Sequence, residues 1–399
     1  MTTTAEQMRQ WQGPALFSYG FRPFFLGATL WAALAMVLWL LVLTGWMPAP
    51  GAFDPVAWHA HALVFGFLPA VVAGFLTTAV PNWTGRLPIV GWPLAGLFAL
   101  WLAGRAAMLL PAGLPWLAVA AIDLSFGLVF AAAIAREIIA GRNWRNLGVL
   151  ALLALLIGGN ALFHWQAASG AAAAQGIGLR IGLGTGIMMI GLIGGRIVPS
   201  FTRNWLARLG PGALPVPPGQ RFDLLAMAAL LVAVLLWVSL PESPGTALAL
   251  SIAGALHLWR LSRWQGHRSL PEPLLWVLHL GYGFVPLGAL ALGLSILRPD
   301  LMPPGTALHL WMAGAVGLMT LAVMSRATLG HTGQALSAGA GTSALYLLVL
   351  MAVLARLLAG LMPAYAPPLH LVSALGWIGG MAGFALLYGP ALLRPRARA

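Results

Sequence analysis

The run Trp58-His59-Ala60-His61-Ala62-Leu63-Val64-Phe65-Gly66-Phe67 continues through Leu68 to Val80 without a single charged residue. A bilayer core about 30 Å thick is crossed by roughly 20 apolar residues in a helix. This stretch satisfies that length and carries two imidazoles at its head. Imidazole in hydrocarbon is costly unless it binds something, pairs or lines water. The stretch therefore reads as a transmembrane helix with chemistry at one end.

The same length rule, applied outward along the chain, predicts about twelve spans, at 24–45, 57–80, 90–110, 114–135, 146–166, 178–198, 222–240, 246–264, 273–296, 305–326, 341–361 and 367–389. Composition agrees: 60% of residues are hydrophobic and 7% charged, where a soluble domain carries about a quarter charged. The expected fold is an all-α integral membrane protein, with about twelve transmembrane helices in one bundle. It is read as one polytopic domain over 1–399, with a cytoplasmic segment at 1–22 and an Arg-rich cytoplasmic tail at 391–399. The first 20 residues are polar and lack an apolar signal core, so no cleaved leader is expected.

The net charge of +13 is carried entirely by arginine. Seventeen of the 21 arginines fall on one side of the predicted spans, among them Arg9, Arg22, Arg86, Arg203, Arg326, Arg396 and Arg398. Four fall on the other: Arg105, Arg180, Arg298 and Arg356. That asymmetry places both termini in the cytoplasm. No basic domain or nucleic-acid motif accompanies it, so the partner is the lipid bilayer and not nucleic acid. The chain has no cysteine, which excludes thiolate haem ligation, c-type haem attachment, cysteine-ligated clusters and blue copper. Histidine is the metal ligand it has in number.

A faint repeat runs through the chain. Pro81–Arg86, Gly195–Asn204 and Ser325–Thr328 close the second, sixth and tenth spans on the cytoplasmic side. This suggests three groups of four helices.

The histidines divide by depth. His59, His61, His309, His164 and His370 lie toward the periplasmic side, and His279, His331 and His257 toward the cytoplasm. His267 sits in an Arg-rich loop and reads as solvated. His309 and His331 are 22 residues apart, or about 33 Å on a continuous helix, so they form separate layers. His59 and His61 point about 200° apart on a regular helix. Below His59 come Ala62, Gly66, Ala70 and Gly74; below His309 come Ala313 and Gly317. Such faces leave space for a flat macrocycle or serve close helix packing, and both readings stand. The small face makes His59 the better candidate to look into a haem pocket.

Arg105, Arg180, Arg298 and Arg356 could bind haem propionates, since Arg holds carboxylates bidentately, or could simply snorkel. Asp123 lies well inside the fourth span. An intramembrane carboxylate is a functional candidate, either in a proton path or in an ion pair with Arg105. His164, His257 and His370 read as hydrogen-bonded bundle residues, with His164 and His370 kept as further metal candidates. Most tryptophans are expected at the membrane interfaces.

Five segments carry a family resemblance: WHAHALVFGF (58–67), GFLTTAVPNWTGR (74–86), GGRIVPSFTRN (194–204), PLLWVLHLGY (273–282) and MTLAVMSRATLGHTG (319–333). Together with Gly20–Phe25 they resemble the NnrS family, bacterial haem- and copper-containing membrane proteins linked to the nitric oxide response. The resemblance implies an inner-membrane protein with b-type haem and copper, and nitric oxide as ligand. It points to His59, His61, His279, His309 and His331 as the haem- or copper-binding positions. Relatives usually carry Glu where this chain has Ala62, so no carboxylate role carries over there. The implied function is protection against nitrosative stress. A second reading is a membrane enzyme that turns over nitric oxide, with electrons from quinol or another donor. A third is a secondary transporter of a metal or small anion, which twelve spans interrupted by Pro and Gly also fit.

Overall fold

In the computed structural model, which describes residues 11–86, 88–110 and 113–395, several long helices begin where a capping side chain meets a proline. Asp54 Oδ1 accepts the backbone N–H groups of Val56 and Ala57 at 3.1 and 3.0 Å, and Pro55 opens the helix. Ser243 with Pro244, and Glu272 with Pro273, do the same. Proline at the first helical position gives up an N–H that has no intrahelical partner anyway.

Among the described residues there are twelve long helices. We number them α1 (Phe21–Leu43), α2 (Pro55–Thr84), α3 (Trp92–Ala107), α4 (Trp116–Ala140), α5 (Leu147–Ala168), α6 (Ile177–Leu209), α7 (Arg221–Ser239), α8 (Pro244–Ser262), α9 (Pro273–Leu297), α10 (Pro304–Thr332), α11 (Ala340–Leu361) and α12 (Ala366–Leu393). No strand occurs among the described residues. Ten of the helices are long and apolar enough to cross a membrane; α3, with 16 residues, and α8 are outside that set. The protein is an all-α membrane bundle. Its outward faces carry exposed Leu128, Val129, Leu155, Leu231 and Leu235, as lipid requires, and its polar side chains turn inward.

α2, α6 and α10 run to 30, 33 and 29 residues, longer than the spans expected from sequence. Each contains a π-helical segment: Ala62–Phe67, Ile190–Gly194 and Leu310–Leu318. These are the three helices whose ends carry the sequence repeat. A π turn disturbs the i→i−4 ladder and is common at functional sites. Carbonyls in these segments are met by side chains. Trp31 Nε1 donates to Ala62 O at 2.7 Å and Trp101 Nε1 to Gly66 O at 2.9 Å. Arg260 donates to Gly191 O at 3.0 Å, and the Thr320 hydroxyl to Val316 O at 2.7 Å.

Trp31, Trp58, Trp101, Trp237, Trp264, Trp311 and Trp377 are buried inside the protein. A buried indole N–H needs an acceptor, and the carbonyls of irregular turns supply some of them.

Two compact units can be separated: residues 1–182 with 327–334 and 381–399, and residues 183–326 with 335–380. In the first, Arg22 at the head of α1 is buried, and its guanidinium donates to Leu392 O at 3.0 Å and Arg394 O at 2.7 Å. The start of the first helix and the end of the last thus share one face, as an even number of crossings demands. Arg9, Arg396 and Arg398 lie outside the described residues. In the second unit, α7, α8 and α9 pack in succession, and α9 and α11 flank the π segment of α10.

Candidate metal centre

The first unit gathers polar side chains from α2, α3, α4 and α5 at one buried point. His61, Asp123 and His164 each place a potential ligand atom within 4.8 Å of the others, and all three are buried. His164 Nε2 lies 3.0 Å and His61 Nε2 3.2 Å from Asp123 Oδ2. Asn160, one turn before His164, donates from Nδ2 to the same Oδ2 at 2.8 Å, and its Oδ1 lies 2.9 Å from His61 Nε2. Arg105 of α3 donates to Asp123 Oδ1.

Glycines permit this convergence. A Cβ on Gly104 would come within 2.9 Å of Asp123 Oδ1, and one on Gly159 within 3.0 Å of Gly178 O. The α3–α4 and α5–α6 crossings therefore close to backbone distance only because these residues have no side chain. Phe53, Phe65 and Phe163 surround the His61 ring, each 5.5 Å away between centroids. They cover the His61 ring with apolar surface.

The acceptors fix the protons. An ionised carboxylate and an amide oxygen only accept hydrogen bonds. His61 therefore donates from Nε2 to Asn160, and His164 donates from Nε2 to Asp123. The proton of a neutral His61 then sits on Nε2, and Nδ1 carries a lone pair. Nδ1 is buried and has no hydrogen-bond partner. Arg105 Nε and Nη1 also lack partners, so the guanidinium is present for its charge opposite Asp123 more than for its bond count.

Two imidazoles and a carboxylate suit a small transition-metal ion; to hold it through the atoms that converge on Asp123 Oδ2, both imidazoles would give up the Nε2 proton. Haem does not fit this centre. The His61 and His164 rings are in contact at 5.0 Å, converge on one oxygen and are walled by phenylalanines, so no plane can pass between them. The small-residue faces are also filled from within the chain. Beneath His59, a Cβ on Gly66 would collide with Arg105 and come within 2.6 Å of Trp31 Nε1, and one on Gly74 would meet Phe25 at 2.6 Å. In the second unit, a Cβ on Gly317 would come within 2.5 Å of the Trp377 ring. These faces serve packing.

The other expected residues are placed elsewhere. His59 is half-buried and stacks on Trp39 at 4.4 Å, so His61 is the member of the pair that enters the bundle. His331 packs edge-on to Tyr19 at 5.5 Å and against Phe21. In the second unit, His309 Nδ1 donates to Gly305 O at 2.6 Å, one turn earlier on its own helix. His279 Nε2 meets the Thr202 hydroxyl at 2.9 Å, and its buried Nδ1 has no partner. His257 is satisfied on both sides, by the Tyr282 hydroxyl at 2.8 Å and Ala226 O at 3.0 Å; it is structural. His370 and Arg356 are half-buried and His267 is exposed.

Three of the outer arginines have protein partners. Arg105 holds Asp123. Arg298 holds the exposed Asp300 at 2.7 Å and keeps that carboxyl below its usual range. Arg180 donates to Gln175 O at 2.7 Å.

Asn160 is the participant that sequence reasoning missed. It is the one amide in the interior of α5, four residues before His164 and so on the same helical face, and that spacing was the available signal.

No curated protein and no solved structure matches the chain. A family model does, described as NnrS protein, over residues 15–396 and thus nearly end to end. The segments quoted above lie within that match, as do all members of the buried centre. The chain belongs to the NnrS protein family.

Proposed function

We propose that this protein is a metal-dependent inner-membrane protein of the nitric oxide response, and that its ion is held by His61, His164 and Asp123. Family membership supports the role in the nitric oxide response. The observation that carries the rest is the convergence of three buried ligand atoms around a carboxylate inside a transmembrane helix bundle.

Charge argues for which ion. Arg105 already neutralises Asp123, so every charge on a bound ion is uncompensated in the membrane, where uncompensated charge is expensive. A monovalent cuprous ion costs least, and imidazole suits copper. When bound, reduced copper supplies a position at which nitric oxide coordinates. The chain's own residues do the remaining work. Arg105 orients the Asp123 carboxylate and balances its charge, Asn160 ties Asp123 to His61, and Phe53, Phe65 and Phe163 surround His61 with apolar surface.

Haem is the other family cofactor, and this centre does not accommodate it. The Arg asymmetry supports an inner-membrane protein with both termini in the cytoplasm, which terminal reporter fusions test. The proposal as a whole is tested by purifying the protein anaerobically and adding nitric oxide. A nitrosyl signal that tracks copper content and is lost in His164→Ala supports it. Nitric oxide binding that is independent of copper refutes it.

A further inference from the structure

A cavity of about 30 Å³ lies against the centre, between α2, α4 and α5. Its floor is Phe65, Phe126, Phe130, Leu153 and Leu156, and its polar wall is Asp123 and Asn160. A single water needs about 10–15 Å³ of such space, so the cavity has room for about two waters or one small gas molecule.

Water is a poor guest there. A buried water requires about two to four polar partners. Both Asp123 oxygens are engaged by Arg105, Asn160 and His164. The Asn160 amide bonds Asp123 and His61. Most of the remaining wall is apolar. The rim is formed by the half-buried Pro69, Leu124, Gly127 and Ile157. The same two helices, α4 and α5, present exposed Leu128, Val129 and Leu155, a lipid-facing surface.

We propose that this cavity docks a small apolar gas molecule, drawn from the bilayer, beside the His61–Asp123–His164 centre. Identifying the gas as nitric oxide rests on the function proposed above; the preference for a small apolar guest does not. Gly127 keeps the space open, since a Cβ there would reach Ile157 Cγ1 at 3.0 Å and a longer side chain would enter the cavity.

Xenon is the probe, as an apolar atom of suitable size. The structure of the full chain determined under xenon pressure is expected to show xenon between Phe65, Phe130 and Leu156. Gly127→Leu and, from the opposite wall, Leu156→Phe should each lose that peak, while Phe130→Ala should strengthen it. At equal copper content, Gly127→Leu should slow nitric oxide association severalfold. Absence of xenon from the wild-type cavity, an alkyl chain or ordered water filling it, or an unchanged association rate in Gly127→Leu each overturns the proposal. Xenon bound in a protein that takes up no copper supports the cavity and removes the metal reading, so the two failures are distinct.

Discussion

Replacing Asp123 by asparagine keeps the shape of the side chain and removes its charge. Arg105 then remains as a cation whose side chain is 6% exposed, facing an amide, with two of its nitrogens already unpartnered. Breaking a buried ion pair from one side costs about 3–5 kcal/mol. The amide oxygen can still accept from His164 or Asn160, which places Asp123→Asn near the lower end, about 3 kcal/mol, or roughly a hundredfold in the folding equilibrium. Asp123→Leu loses those acceptors as well, and hydrogen bonds to charged groups are worth about 1.5–3 kcal/mol each, so it should cost the upper end of the range or more. Arg105→Met combined with Asp123→Leu removes both charges, and much of the loss should return. The assay is a double-mutant cycle on reversible unfolding of the purified protein in bilayer-like discs. A coupling of several kcal/mol is expected. A loss below about 1 kcal/mol for Asp123→Asn, the scale of an exposed pair, or strict additivity in the cycle, refutes the assignment of this pair as buried and mutually dependent.

Three further outcomes follow from the same geometry. Gly66→Leu places atoms where Arg105 and Trp31 now sit, so it should lower both the melting temperature and copper content, whereas Gly96→Ala, at a position open to 4 Å, should change neither. Trp101→Phe removes the donor to Gly66 O and leaves a buried carbonyl unmet, a loss of about 1–3 kcal/mol readable by unfolding. His257→Phe breaks the bonds to Tyr282 and Ala226 in the second unit and should destabilise by a similar amount with copper content unchanged in metal analysis.

The helices were legible because the bilayer imposes one length and one composition on every crossing. Asp123 was legible for the complementary reason: a carboxylate in an apolar run has to be accounted for, and Arg105, one helix earlier, is the partner it has. His61 was harder to place. Two histidines separated by one residue face opposite ways, and sequence alone does not say which face is inward. Small residues beneath His59 suggested that side, but Gly66 and Gly74 make room for Arg105, Trp31 and Phe25, and the inward ring is His61. The π segments of α2, α6 and α10 were not legible. They depend on side-chain donors from other parts of the chain, such as Trp31 and Trp101, and no local pattern encodes those. Sequence placed His164 at the depth of His61 and kept it as a metal candidate without pairing the two, for the same reason: α2 and α5 are distant in sequence, and Asn160, which joins them through Asp123, looks from the sequence like an ordinary polar residue in a helix.

The most direct test is the copper content of protein purified anaerobically after reconstitution with cuprous ion, compared among wild type, His59→Ala, His61→Ala and His164→Ala, with the coordination shell read by X-ray absorption. Stoichiometric copper in wild type and His59→Ala, a shell of nitrogen and oxygen only, and loss of the ion in His61→Ala and His164→Ala is the result expected of a His61–Asp123–His164 centre. Copper retained in His61→Ala and His164→Ala but lost in His59→Ala would contradict it.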